Sequence, residues 1–166
     1  MAIGGSEHDI WAENGRILKI TRPDRFGWTV LPGDRGLPEI SHATPLEYLL
    51  RWMYSNTIFG DSVRFEGIFV SDEGVQVIVS QEFIVGSNPT PSNITKEMDR
   101  RGLALIPGFS IGSEPGSSFY SLTKGLAVFD AVPDNFIESH GVPIPIDVIP
   151  VMAGPLLKAQ ILRLMA

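Results

Sequence analysis

Five residues could do chemistry, and their order along the chain matters as much as their types: Lys19, Glu47, Asp130, Asn135 and Asp147. Lys19 stands mid-run in Arg16-Ile-Leu-Lys-Ile-Thr, and Asp147 in Ile144-Pro-Ile-Asp-Val, each a charge among apolar neighbours. A charge buried in such a segment needs a partner, because leaving it alone in an apolar surrounding is strongly unfavourable. Asp130 and Asn135 form Asp-x-x-x-x-Asn between the apolar runs 126–129 and 136–138. Phosphoryl transfer uses these residue types, since its catalysis is mostly positioning and charge neutralisation. A lysine draws off phosphate charge, and a helix carboxylate holds that lysine. Asp and Asn oxygens suit a hard cation such as Mg²⁺. The succession strand Lys, helix Glu, Asp-x-x-x-x-Asn and a further Asp is the succession such sites follow.

Each residue also has a structural use, and that alternative stays open on sequence alone. Lys19 could be an edge-strand lysine whose stem packs while its ammonium reaches water. Glu47 stands three residues after Thr44 and would complete a capping box. Asp130 and Asn135 flank Pro133-Asp134 and could simply shape a turn. Asp147 has no such local use in its extended apolar run.

The elements that must position these residues are short. Asn14-Gly15 between 8–13 and 16–21 specifies a hairpin with a type I′ turn. Within the second strand Ile17, Lys19 and Thr21 share one face. The stretch 22–41 holds Pro23, Gly27, Pro32, Gly33, Gly36 and Pro38 and reads as a long loop with a short strand at 28–31 at most. Thr44-Pro45 opens a helix to about Asn56, with Leu46, Leu49, Leu50 and Met53 as its core face. Runs 63–71 and 75–85 form a hairpin around Asp72-Glu73-Gly74. A linker at 86–89 leads to a second helix that starts at Thr90-Pro91 and stops at Gly102. Beyond it lie a short strand at 103–106, a loop at 107–116, two apolar runs around the polar turn 130–135, and an extended run at 144–149. A helix over 155–165 closes the chain, with Leu157, Ile161, Leu164 and Met165 on its buried face. This order describes an α+β chain: one domain with a sheet-plus-helix part over 1–85 and a helical and looped part over 86–166.

Composition narrows the functions. The 166 residues carry 13 Lys+Arg against 19 Asp+Glu, a net charge of −6, which disfavours binding to nucleic acid. No apolar run approaches the ~18 residues of a membrane span, and residues 1–10 lack the pattern of a signal peptide, so the expectation is a cytoplasmic protein without a membrane partner. The absence of Cys removes disulfides, thiol nucleophiles and thiolate metal sites. His8, His42 and His140 are scattered and read as solvent-facing, and no Ser stands in Gly-x-Ser-x-Gly. Trp11, Trp28 and Trp52 read as core or cleft lining, not as a base-stacking platform.

The segments GGSEHDIW…NGRILKIT.P, ATPLEYL…N.IFGD.VRFEG, VIVSQEFIVG and FDAVPDNFI…PIDVIP resemble the kinase-like domain of polyvalent proteins from phages and mobile elements. The resemblance covers roughly residues 4–150. It implies a compact protein-kinase-like α+β fold, with an antiparallel-sheet N-lobe carrying one helix and a reduced C-lobe. It implies ATP and Mg²⁺ as cofactors and a phosphotransferase acting on a protein or small-molecule acceptor, with a non-catalytic binding module of the same fold as the alternative. By position, Gly4, Gly5 and Ser6 would cover the phosphates, Lys19 would contact them and Glu47 would hold Lys19. Gln81, Phe83 and Val85 would lie near the adenine. Asp130 would be the base toward the accepting hydroxyl, while Asn135 and Asp147 would bind the metal. Three local departures stand out. Gly-Gly-Ser replaces a longer glycine loop, Val128-Phe129 precedes Asp130 where kinases carry His-Arg, and Val148-Ile149 follows Asp147 where they carry Phe-Gly.

Overall fold

A computed structural model describes residues 7–112 and 116–166. The chain divides into two compact units, residues 1–29 with 42–83, and residues 30–41 with 84–166. The fold is α+β, with antiparallel sheets and three α-helices among the described residues.

The first hairpin forms as its turn demands: β1 (His8–Glu13) and β2 (Arg16–Thr21) pair antiparallel, with Asn14 at φ 48° and Gly15 at φ 74°. Next comes a second hairpin, β3 (Trp28–Pro32) and β4 (Pro38–His42), where the sequence reads as a loop. Its prolines and glycines concentrate in the turn, where Gly33 N donates to Leu37 O at 2.9 Å and Gly36 adopts φ 79°. Thr44 caps α1 (Pro45–Phe59), and Gly60 ends it in the left-handed conformation, three residues beyond the expected stop. Then β5 (Arg64–Ser71) and β6 (Gly74–Glu82) complete a four-stranded sheet of order β1-β2-β6-β5.

The core of this unit is Tyr48 and Trp52 of α1 packed on Val77 and Val79 of β6, with Phe26, Ala43 and Val63 around them. The helix face expected to be core is therefore corrected. Leu46 and Met53 are exposed, Leu49 and Leu50 are half-buried, and the buried face carries Tyr48, Arg51, Trp52, Ser55, Ile58 and Phe59. Two stripes compete on this helix, and the one with aromatic bulk takes the sheet.

The second unit holds α2 (Pro91–Arg100), capped by Thr90, then β7 (Ala104–Leu105), β8 (Ser117–Ser121) and β9 (Leu126–Ala131). A 3₁₀ turn (Pro133–Asn135) leads to the hairpin β10 (Phe136–Ser139) and β11 (Val142–Pro145), then β12 (Ile149–Met152) and α3 (Pro155–Leu164). The larger sheet has order β12-β9-β8-β7. Its strand β8 carries no alternation because Ser118, Phe119, Tyr120 and Ser121 are all buried, so it reads as no element from sequence. The apolar run 144–149 is two strands, not one, split by a bend at Ile146-Asp147-Val148. Gln160 of α3 donates to Gly33 O at 2.8 Å, which ties the β3–β4 turn to this unit.

Two buried polar features set testable stabilities. Glu97, buried in α2, accepts from Arg100 at 2.7 and 2.8 Å and from Arg101 at 2.6 Å, and the Arg100 bond first of all holds its carboxyl below the ordinary range. The folded state thus binds this proton less readily than the unfolded chain. The resulting stability is complete above the unfolded value and is lost as pH falls through the lower folded one. Glu97→Gln is expected to lower the melting temperature at neutral pH, and thermal scans should show the gap to wild type closing below about pH 4. Tyr120 is fully buried, its hydroxyl has no partner among the described residues, and burial pushes its pKa up. Tyr120→Phe removes an unsatisfied group and is expected to leave the melting temperature equal or higher.

Candidate functional site

The structure gathers the chemical residues into two clusters, one in each unit. In the first, β2 is an interior strand, so the edge-strand reading of Lys19 is overturned. Lys19 sits opposite Val79 on the helix-covered face and is 5 % exposed. Its Nζ lies 4.5 Å from the centroid of the Trp52 ring, and the Arg51 guanidinium lies 5.3 Å from the same ring. A desolvated cation over an indole face gains about 2 kcal/mol, which offsets part of the burial of the charge.

Around this pair stand three residues that sequence reasoning did not place in a site: Arg51, Glu7, and His8, which it read as solvent-facing. Arg51 is buried and its Nη1 donates to Glu7 Oε2 at 2.9 Å. His8 is 2 % exposed, not solvent-facing, and its Nε2 lies 3.0 Å from the Tyr48 hydroxyl. The readable signal for Arg51 was its position one helical turn from Tyr48 and Ser55, which places a charge on the aromatic face of α1. His8 and Glu7 gave none, because a strand end is buried or exposed according to what packs over it.

Glu47 behaves as a cap. Its Oε2 accepts from Thr44 N at 2.8 Å and Thr44 Oγ1 at 2.7 Å, and Glu47 N donates back to Thr44 Oγ1 at 3.3 Å. Among the described residues these are the bonds its side chain makes. Gln81 is buried on the same sheet face as Val79, whereas Phe83 and Val85 are exposed. Gly4, Gly5 and Ser6 lie outside the described residues.

The second cluster is organised by Asn135. Its Nδ2 donates both to Asp130 O at 2.8 Å and to Asp130 Oδ2 at 2.9 Å. Its own carbonyl accepts from Ile146 N at 2.8 Å and Asp147 N at 3.4 Å. Asn135 thus bonds Asp130 through its side-chain amide and the Asp147 backbone, twelve residues on, through its carbonyl. The hairpin β10–β11 is the chain's route from Asn135 back to Asp147. Asp147 occupies the bend between β11 and β12, not mid-strand, which is why a strand pattern gave no account of it. Asp130 adopts φ 53°, a left-handed conformation that Asp tolerates better than most residues. Gly112, at φ 96°, passes so close to the Asp130 carboxylate that a Cβ there would overlap it.

Chemically, Asn135 uses its amide nitrogen on Asp130, which leaves Oδ1 as the atom of that side chain able to meet a cation. Carboxylate and amide oxygens are the ligand types a hard cation such as Mg²⁺ accepts, and here Asp147 is joined to Asn135 through its backbone N–H. Searches against family models, curated proteins and solved structures find no match to this chain. Among the described residues no helix is long and apolar enough to cross a membrane.

Gly112→Ala tests how closely Asp130 is held. Gly108 also has positive φ, 64°, but a Cβ there meets nothing within 4 Å. Both alanines carry the conformational penalty of about 1–2 kcal/mol, so Gly112→Ala is expected to lose distinctly more stability in denaturant titration. Only Gly112→Ala should shift the Asn135 side-chain amide resonances.

Proposed function

We propose that the chain is a kinase-like module that binds ATP with Mg²⁺, with Asn135 and Asp147 as the groups that bind the metal and Asp130 as the base toward an acceptor hydroxyl. The hydrogen bonding of Asn135 carries this reading. Its side chain bonds Asp130 and its carbonyl accepts from the Asp147 backbone, which links two acidic residues 17 positions apart, on either side of a hairpin. The donor set fits the ion, since oxygen ligands of this kind are what Mg²⁺ accepts. A bound Mg²⁺ would neutralise phosphate charge. Asp130, positioned by Asn135 and by the close backbone of Gly112, would orient an acceptor hydroxyl and take its proton in a phosphotransferase. The roles that the resemblance implies for Lys19, Gln81, Phe83 and Val85 belong to the same reading, and so does an acceptor that is a protein or a small molecule.

A specific observation favours the second reading, a non-catalytic binding module. The Glu47 carboxylate is used by Thr44 at the helix cap, so the Lys–Glu pair that active protein kinases require is not made by these two side chains.

Thermal unfolding with a non-hydrolysable ATP analogue, with and without Mg²⁺, tests the proposal. At ~100 times the dissociation constant, stabilisation is about 2.7 kcal/mol, or roughly 5–10 °C for a chain of this size. The expected result is a Mg²⁺-dependent shift in wild type that Asp147→Asn abolishes. No shift at millimolar nucleotide would overturn nucleotide binding. A shift without phosphotransfer to water or added acceptors would select the binding module over the enzyme.

A further inference from the structure

The sheet of the first unit has two edges, and they differ. Edge strand β1 carries an acid near each end, Asp9 and Glu13, so two copies meeting there antiparallel would repel. Edge strand β5 runs eight residues, Arg64–Ser71, without Pro or Lys. Its pairing with β6 shifts register between Phe65 and Gly67, a bulge that puts Phe65, Ile68 and Val70 opposite Val79, Val77 and Val75. All three therefore lie on the apolar, helix-side face of the sheet. Yet they are 55 %, 57 % and 68 % exposed, because α1 does not extend over them. Phe65 continues into a groove of about 410 Å³ walled by Leu49, Leu50 and Met53 of α1.

We propose that β5 is a homodimer interface, in which the β5 edges of two copies pair antiparallel about a twofold axis and their uncovered apolar faces form one continuous surface. Three observations commit the occupant to a second copy. First, the outer backbone edge of β5 has no partner strand among the described residues, and an identical antiparallel strand satisfies it symmetrically. Second, charge is self-complementary at the ends of the strand, while Glu66, the acid within it, accepts from Ser80 Oγ. Arg64 opens β5 and Asp72-Glu73 follows its end, and none of these side chains has a bonded partner among the described residues. Antiparallel pairing brings each Arg64 to the acidic end of the other copy, twice by symmetry. Third, the area is adequate. Met53, Phe65, Ile68 and Val70, each at least half exposed, present on the order of 400 Å² of apolar surface, about half of the ~800 Å² that each partner gives to a standard interface. The paired edge and the charged ends supply the remainder.

Sedimentation velocity on the full chain from about 1 to 100 µM, a range that brackets an interface of this size, tests the proposal. The expected species at the upper end has twice the 18.2 kDa chain mass. Val70→Lys should be monomeric with an unaltered circular dichroism spectrum, since Val70 is mostly exposed in the single chain. Arg64→Glu should weaken dimerisation about tenfold or more by setting like charges against each other. Combining Arg64→Glu with Asp72→Lys and Glu73→Lys should restore the dimer, which a non-specific sticky patch would not do. A wild-type chain that stays at 18.2 kDa throughout would overturn the proposal, and so would a dimer indifferent to Val70→Lys or a charge swap without rescue.

Discussion

A single helix about 10–12 Å across covers fewer than four strands spaced roughly 4.8 Å apart, and most of what distinguishes the first unit follows from that mismatch. Where α1 does cover the sheet, everything beneath it is dry, including the Lys19 ammonium on an interior strand. The charge survives there because Trp52 presents its ring to it and because Arg51, Glu7, His8 and Tyr48 make a bonded polar layer on the same side. Where α1 stops, the apolar face of β5 is left open. The buried cation and the exposed strand are two ends of one geometric limit.

Backbone bonding solves the corresponding problem in the second unit. Acidic residues in a small apolar sheet have no aromatic platform of the Trp52 kind, and the chain handles them by turning. Asp130, next to the end of β9, takes a left-handed conformation, Asn135 bonds it from the 3₁₀ turn, and the carbonyl of Asn135 receives the chain again at Ile146 and Asp147. Asp147 thereby sits at a bend and Asp130 at the last-but-one position of β9, and both residues are half-buried. A network this dependent on one asparagine is also selective in what it tolerates. A side chain at Gly112 would enter the volume that the Asp130 carboxylate already occupies.

Much of this was legible without coordinates, and what was legible shares a cause. The Asn14-Gly15 turn, the Thr44 capping box with Glu47, the Thr90 cap and the β5–β6 hairpin are all set by contacts within about four residues. Their strain and hydrogen bonds are decided locally, so residue type and spacing suffice. The turn around Pro133-Asp134 was also readable, and in it Asn135 bonds Asp130 directly.

What stayed hidden depends on which surface packs against which. The amphipathic period of α1 pointed to Leu46, Leu49, Leu50 and Met53, and it is packing on the sheet that buries Tyr48 and Trp52 instead. Strand β8 shows no alternation because both its faces are covered, a fact that belongs to its neighbours. The burial of His8 and Arg51, and the interior place of β2 that makes Lys19 a core residue, are likewise properties of strand order. Residue type and spacing are enough for the turns, the caps, most of the elements and the list of residues able to do chemistry, because those are short-range matters of backbone conformation and side-chain type. Which charges are buried, which segments bond to Asn135 and which apolar strand lies open depend on the packed fold, because burial is set by partners distant in the chain.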